Sequence, residues 1–190
     1  MNNLFDIACN FSSDRFDKDL DAVIERAKIN NVNKFLIVSA SLNDFEKTYN
    51  IYKSNLKEAF FSIGTHPHHA DEINAEQIKN MRRLVGEHNP SCIGETGLDF
   101  FRNLSSHDEQ TFAFQEQIKI AIDFNKPLYL HQRDSHSEFM KIISEYKDYL
   151  PKSVVHCFTG TQSELEDYLD LGFYIGLTGW VCDERRNVEL

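Results

Sequence analysis

Three histidines fall within four residues where an apolar run ends, in SIGTHPHHAD (Ser62 to Asp71). Further along, Glu95 follows Ile-Gly in IGETGLD, His131 ends PLYLH and leads into QRD, and His156 follows Val-Val in VVHCFTG. Near the N-terminus, Asp6 and Asn10 lie within LFDIACN. The arrangement repeats: a short apolar run delivers a His or a carboxylate at its end. Taken singly, each has an ordinary explanation, since such a histidine can hydrogen-bond its own turn and such a glutamate can cap a helix. Taken together, they form a donor set. Burying several imidazoles and a carboxylate unpaired costs roughly several kcal/mol, and a divalent cation removes that cost. Glu95, His131 and His156 supply one oxygen and two nitrogen ligands. That set suits Zn²⁺, Mn²⁺, Mg²⁺ or Fe²⁺, with no thiolate to narrow the choice. Such an ion lowers the pKa of a bound water to about 7 and polarises a phosphoryl or carbonyl oxygen. Spacing therefore reaches a metal-dependent hydrolase and leaves the substrate open. His69, His88, His107 and His136 are expected to be surface residues outside the site.

These donors need elements to hold them. Apolar runs too short for helices recur at residues 4–9, 34–40, 59–64, 91–94, 127–131, 153–158 and 173–179. Near-continuous apolar runs suit strands buried on both faces of a parallel sheet. Between them lie helical stripes: Leu20, Val23, Ile24, Ala27; Phe114, Ile118, Ala121, Ile122; Phe139, Ile142, Ile143, Tyr146; and Leu165, Tyr168, Leu169. Alternation with short connections means right-handed βαβ units. The first strand is followed by CNFSSDRF, which lacks the glycines of a nucleotide-binding turn. The expected fold is therefore α/β, a TIM (β/α)₈-type barrel with its site at the C-terminal ends of the strands. Seven strands are counted where a closed barrel has eight. With 190 residues against the roughly 250 typical of the fold, the expectation is one domain over residues 1–190, incomplete at the C-terminus and lacking the eighth strand.

The bulk properties are compatible with this. A net charge of −10 excludes a simple basic nucleic-acid clamp, although a bound cation can hold a phosphate locally. The four cysteines (Cys9, Cys92, Cys157, Cys182) form no C-x-x-C and are expected to be buried reduced thiols. No leader pattern or membrane-length apolar run is present. The expectation is a cytoplasmic protein with no membrane association and no obligate protein partner.

Five stretches in order, GTHPHHA, CIGETGLDF, LHQRD, HCFTGT and YIGLTGWVCDERR, resemble the signature segments of the TatD family of metal-dependent deoxyribonucleases. The likeness spans essentially the whole chain. It implies a barrel of the metal-dependent hydrolase superfamily and a 3′→5′ exonuclease acting on single-stranded DNA, with RNA as a second candidate substrate. It also implies Mg²⁺ or Mn²⁺ as cofactor, with Zn²⁺ a further candidate, ligands at Glu95, His131 and His156, and an association with DNA repair. His66 and His68 match the family's G-x-H-P-H and are expected at the rim, as phosphate contacts or support for the ligands. Arg133 is a candidate phosphate contact, with a salt bridge to Asp134 or another carboxylate as the competing reading. Many members begin D-x-H-x-H; here the stretch is Asp6-Ile7-Ala8-Cys9-Asn10. Asn in the last position is similar to the TatD-proper branch, and the loss of both histidines puts a two-metal clamp in doubt. Asp6 and Asn10 remain candidates for substrate binding or ligand support. The family's eighth-strand Asp is expected to be missing. Two alternatives follow: a small-molecule amidohydrolase with the same metal logic, and an inactive truncated barrel.

Overall fold

The computed structural model describes residues 4–54, 57 and 59–182. Seven strands run β1 (Leu4–Cys9), β2 (Val32–Ile37), β3 (Ala59–Ile63), β4 (Cys92–Asp99), β5 (Leu128–Arg133), β6 (Val154–Val155) and β7 (Tyr174–Ile175). They form one sheet in chain order, and every neighbouring pair is parallel. Six α-helices cross between them: α1 (Leu20–Ile29), α2 (Phe45–Lys53), α3 (Ala75–His88), α4 (His107–Asp123), α5 (His136–Tyr146) and α6 (Gln162–Asp170). Sequential order with all-parallel pairing gives a curled half-barrel, in line with the seven strands of a TIM-type barrel that the alternation predicts. The sheet curls: a Cβ added to Gly176, just past β7, would lie 3.0 Å from Cδ1 of Ile7 on β1. Among the described residues β1 and β7 are not paired with each other.

Burial follows the sequence pattern. Phe35, Leu36, Ile37 and Val38 are all buried, as are Leu128, Tyr129 and Leu130, so β2 and β5 have both faces covered. The helices close the outside of the sheet through Met81 and Val85 of α3, Phe114 and Ile118 of α4, Phe139, Ile142 and Ile143 of α5 and Tyr168 of α6. Phe114 stacks on Phe139 with centroids 5.1 Å apart. Truncating either of these fully buried rings would cost about 3–5 kcal/mol.

Three boundaries differ from the sequence expectation. β4 continues through both glycines to Asp99, so Glu95 lies inside the strand and not at its end. β6 and β7 have two residues each, and His156 lies just past β6. Two helices that the apolar stripes did not single out are also present. α3 is preceded by Asn74, whose side chain accepts from the N–H groups of Glu76 and Gln77, an N-cap. Its core side, Ile78, Met81, Leu84 and Val85, is diluted by eight charged, amide or histidine side chains. α2 presents Phe45, Tyr49 and Tyr52, aromatic residues that read equally as strand formers. Of the cysteines, Cys9 and Cys92 are buried as expected, but Cys157 is only half-buried and Cys182 is exposed; all four are free thiols.

Candidate active site

Period-two alternation in β4 puts Glu95, Gly97 and Asp99 on one face. Register aligns Gly97 with His131 and Asp99 with Arg133 on β5. The two glycines flanking Glu95-Thr96 are required here. At Gly94 (φ +143°) a Cβ would collide with the Tyr129 carbonyl oxygen, and at Gly97 (φ +141°) with that of His131. GETG therefore lets β4 press against β5 so that Glu95 and His131 can meet.

Three imidazole nitrogens face the same oxygen, Oε1 of Glu95: His156 Nε2 at 2.6 Å, His131 Nδ1 at 3.1 Å and His66 Nε2 at 3.3 Å. His131 Nδ1 and His156 Nε2 are 3.4 Å apart. His66, Glu95 and His131 each offer a ligand atom within 4.8 Å of the others. The His156 ring is held by stacking on buried Tyr129, with centroids 4.6 Å apart.

Asp99, which the apolar-run reading passed over, is the second centre. Its Oδ2 lies 2.7 Å from His68 Nε2 and makes a 3.4 Å ion-pair contact with His131 Nε2. Its Oδ1 accepts from the N–H groups of Phe101 and Arg102. His131 thus stands between two carboxylates. The signal was available: Asp99 is four residues past Glu95 in GETGLD, the same face of a strand, but Gly97 reads as a turn.

Charge follows from this geometry. Burial would raise the Glu95 carboxyl, but the charge on His156 and hydrogen bonds from His131, His156 and His66 hold it well below the usual range. Burial would likewise raise Asp99; His131, the Arg102 N–H and His68 keep it depressed. His131 is pushed down by burial and up, more strongly, by Asp99 and Glu95, to about 9. Burial lowers His66, which keeps it neutral. Its Nδ1 accepts from the His68 N–H at 3.0 Å, so the neutral ring carries its proton on Nε2, aimed at Glu95.

The donors fit a divalent cation. Protonated His131 lies between Glu95 and Asp99, and a divalent ion at the cluster would supply positive charge in place of its proton. His131 Nδ1 and His156 Nε2 both face Oε1 of Glu95 and each other, an N,N,O donor set of the kind a divalent ion takes. Separations of 2.6–3.4 Å between Glu95, His131 and His156 match donors sharing one ion at roughly 2.1 Å.

Two buried amides of α4 set the loops carrying these groups. Gln117 accepts from the Thr65 N–H at 2.8 Å and donates to the Thr65 carbonyl at 3.0 Å, just before His66. Gln110 accepts from the Asp99 N–H and donates to the carbonyls of Asp99 and Ser105.

The remaining sequence candidates stand apart. Asp6 is exposed and its Oδ1 accepts from the Ala8 N–H. Asn10 is exposed, its carbonyl accepting from the Ser13 N–H. Among the described residues neither is joined to the histidine cluster. The Arg133 guanidinium lies over the Phe101 ring, 3.9 Å from its centroid. His69, His88, His107 and His136 make local contacts away from Glu95: with Glu72, with Phe45 and Tyr49, with Phe100, and with Tyr168 and Asp167, respectively.

A parallel α/β half-barrel with a His/Glu/Asp cluster at the C-terminal side of its strands has the architecture of metal-dependent hydrolases. The TatD related DNase family matches residues 5–189, and the chain belongs to that family. Among its relatives is the 3'-5' ssDNA/RNA exonuclease TatD of Cronobacter sakazakii, 42% identical over 187 residues, covering 98% of this chain and 71% of the relative. The protein of the same name from Pantoea ananatis is 40% identical, covering 98% and 72%. The fold matches a TatD family hydrolase from Entamoeba histolytica at TM-score 0.83 and 29% identity, over 94% of this chain and 66% of that one. It also matches a TatD homologue from Escherichia coli at TM-score 0.84 and 23% identity, over 90% and 66%. The chain thus spans about two thirds of the length of these solved structures. Among the described residues no helix is long and apolar enough to cross a membrane.

Proposed function

We propose that the Glu95 cluster is the metal centre of a 3′→5′ exonuclease acting on single-stranded DNA, with RNA as a second substrate and Mg²⁺ or Mn²⁺ as the ion. The observation that carries the reading is the convergence of His66, His131 and His156 on one largely buried carboxylate oxygen. Glu95, His131 and His156 would hold the ion, which when bound polarises the phosphoryl oxygen and acidifies a water towards neutral pH. His131 must give up its proton to serve, and Asp99 then orients the ring from its far side, a common role for a carboxylate behind a ligating histidine. His66, with its proton on Nε2, is a donor for a phosphoryl oxygen on which charge develops. His68 is oriented by Asp99 and stands beside His66, ring centroids 4.1 Å apart. Substrate class and polarity come from the relatives' activity; the site itself supports phosphodiester hydrolysis.

The test is digestion of a 5′-labelled single-stranded oligonucleotide with Mg²⁺ or Mn²⁺ and with EDTA, beside Glu95→Ala. A ladder shortening from the 3′ end, absent in EDTA and reduced at least about a thousandfold in the variant, is expected. Hydrolysis of amides or esters with indifference to DNA, or full turnover by Glu95→Ala, would overturn it.

A further inference from the structure

Just past β4 the chain places an aromatic side chain at the surface beside the site. Phe101 is 59% exposed. Its backbone N–H donates to Oδ1 of Asp99 at 3.1 Å, the carboxylate whose other oxygen faces His68 and His131. Its position is therefore tied to the cluster. Its neighbour Phe100 is covered by His107, with centroids 3.7 Å apart; Phe101 is covered only in part, by the Arg133 guanidinium. Arg133 lies two residues past His131 and in register with Asp99, hence on the same face of the sheet. Among the described residues the arginine–carboxylate pairs belong to Arg26, Arg82 and Arg83. Arg133 and the adjacent Arg102 carry none, although the chain has 30 Asp and Glu against 20 Lys and Arg.

An exposed phenylalanine alone is unremarkable. An aromatic ring backed by a guanidinium without an acidic partner, anchored to the site carboxylate, has a specific use. We infer that Phe101 and Arg133 form a stacking subsite for a nucleobase of a single-stranded chain whose phosphodiester lies at the Glu95 cluster. The inference rests on the nuclease reading above. Every base has a π face, so such a subsite tolerates any sequence. Bases within a duplex are already stacked on each other, so it selects single strands. The Arg133 charge stands beside that ring, where it would meet a flanking phosphate.

The test compares, within one protein, an oligonucleotide with ordinary 3′-terminal nucleotides and the same strand with an abasic residue at either of its last two positions. Taking the ratio within each protein cancels losses of folded material. Fluorescence anisotropy in EDTA reads it as binding, and digestion with Mn²⁺ reads it as KM. The expected preference of the unmodified chain for the ordinary strand is about five- to a hundredfold, abolished in Phe101→Ala and retained in Phe101→Trp. Cleavage with the ratio undiminished in Phe101→Ala would overturn the subsite and leave the nuclease reading intact. Base-dependent binding lost in Phe101→Ala, without any cleavage, would support the subsite and count against the nuclease. No binding of either strand would overturn the subsite.

Discussion

Glu95 oxygen Oε1 is the point on which the site converges, and the groups around it separate by protonation. His66 is neutral, with its proton committed by the His68 N–H on its other nitrogen; His131 is held protonated between two carboxylates. A pH dependence follows for the metal-free chain. His131 is raised from 6.5 to about 9, so its contribution to stability is complete below pH 6.5 and is lost as pH climbs through about 9. Glu95 and Asp99 are depressed, so their contributions hold above the ordinary carboxylate values and disappear as pH falls through the lowered ones. In EDTA the melting temperature should therefore fall between pH 6.5 and 9, and saturating Mn²⁺, which requires deprotonated His131, should remove that fall. A melting temperature in EDTA that stays level across this range would count against the assignment. Glu95, His131 and His156 were legible in the sequence because each ends, or nearly ends, an apolar run. Asp99 was not, because the glycine two residues before it disguised a continuing strand. Phe101 was not because exposure is a property of packing.

At the scale of elements, α4 does more than cover the sheet. Gln110 and Gln117 are seven residues apart, two turns on one face, and each is fully buried and hydrogen-bonded to the backbone of a segment that carries a site group. Replacing Gln117 with Ala would strip partners from the buried N–H and carbonyl of Thr65. The expected cost is about 1–3 kcal/mol, measured by urea unfolding, with weaker Mn²⁺ binding as His66 loses its fixed approach. A stability loss without any change in metal affinity would show that α4 only packs and does not position. The sequence pattern identified α4 through its Phe114–Ile118–Ala121 stripe, but a glutamine inside such a stripe reads as surface until its partners are known. α3 escaped for the opposite reason: its capping Asn74 is clear only once the helix behind it is seen.

For the whole molecule, a net charge of −10 and a nucleic-acid substrate are reconciled by localisation: a cation held at the site and Arg133, which has no carboxylate partner among the described residues, would carry the attraction. With one phosphate neutralised by Arg133, log affinity for a single strand should fall against log salt with a slope of about −0.7. Slopes several times steeper in a binding titration would mean a basic surface elsewhere. The alternation of runs was sufficient to foresee the parallel sheet in chain order. The approach of Ile7 to Gly176 agrees with the curl of the expected barrel; how closely the two edges come depends on twist and register and was not legible in the pattern. The proposed hydrolysis requires that the Glu95 cluster hold a divalent ion, and ligand binding raises the stability of the folded chain by mass action. The measurement to make is calorimetric titration of Mn²⁺ into the protein beside Glu95→Gln. Binding of an ion at the cluster, lost in the variant together with its rise in melting temperature, is the predicted result; equal binding by both proteins would contradict it.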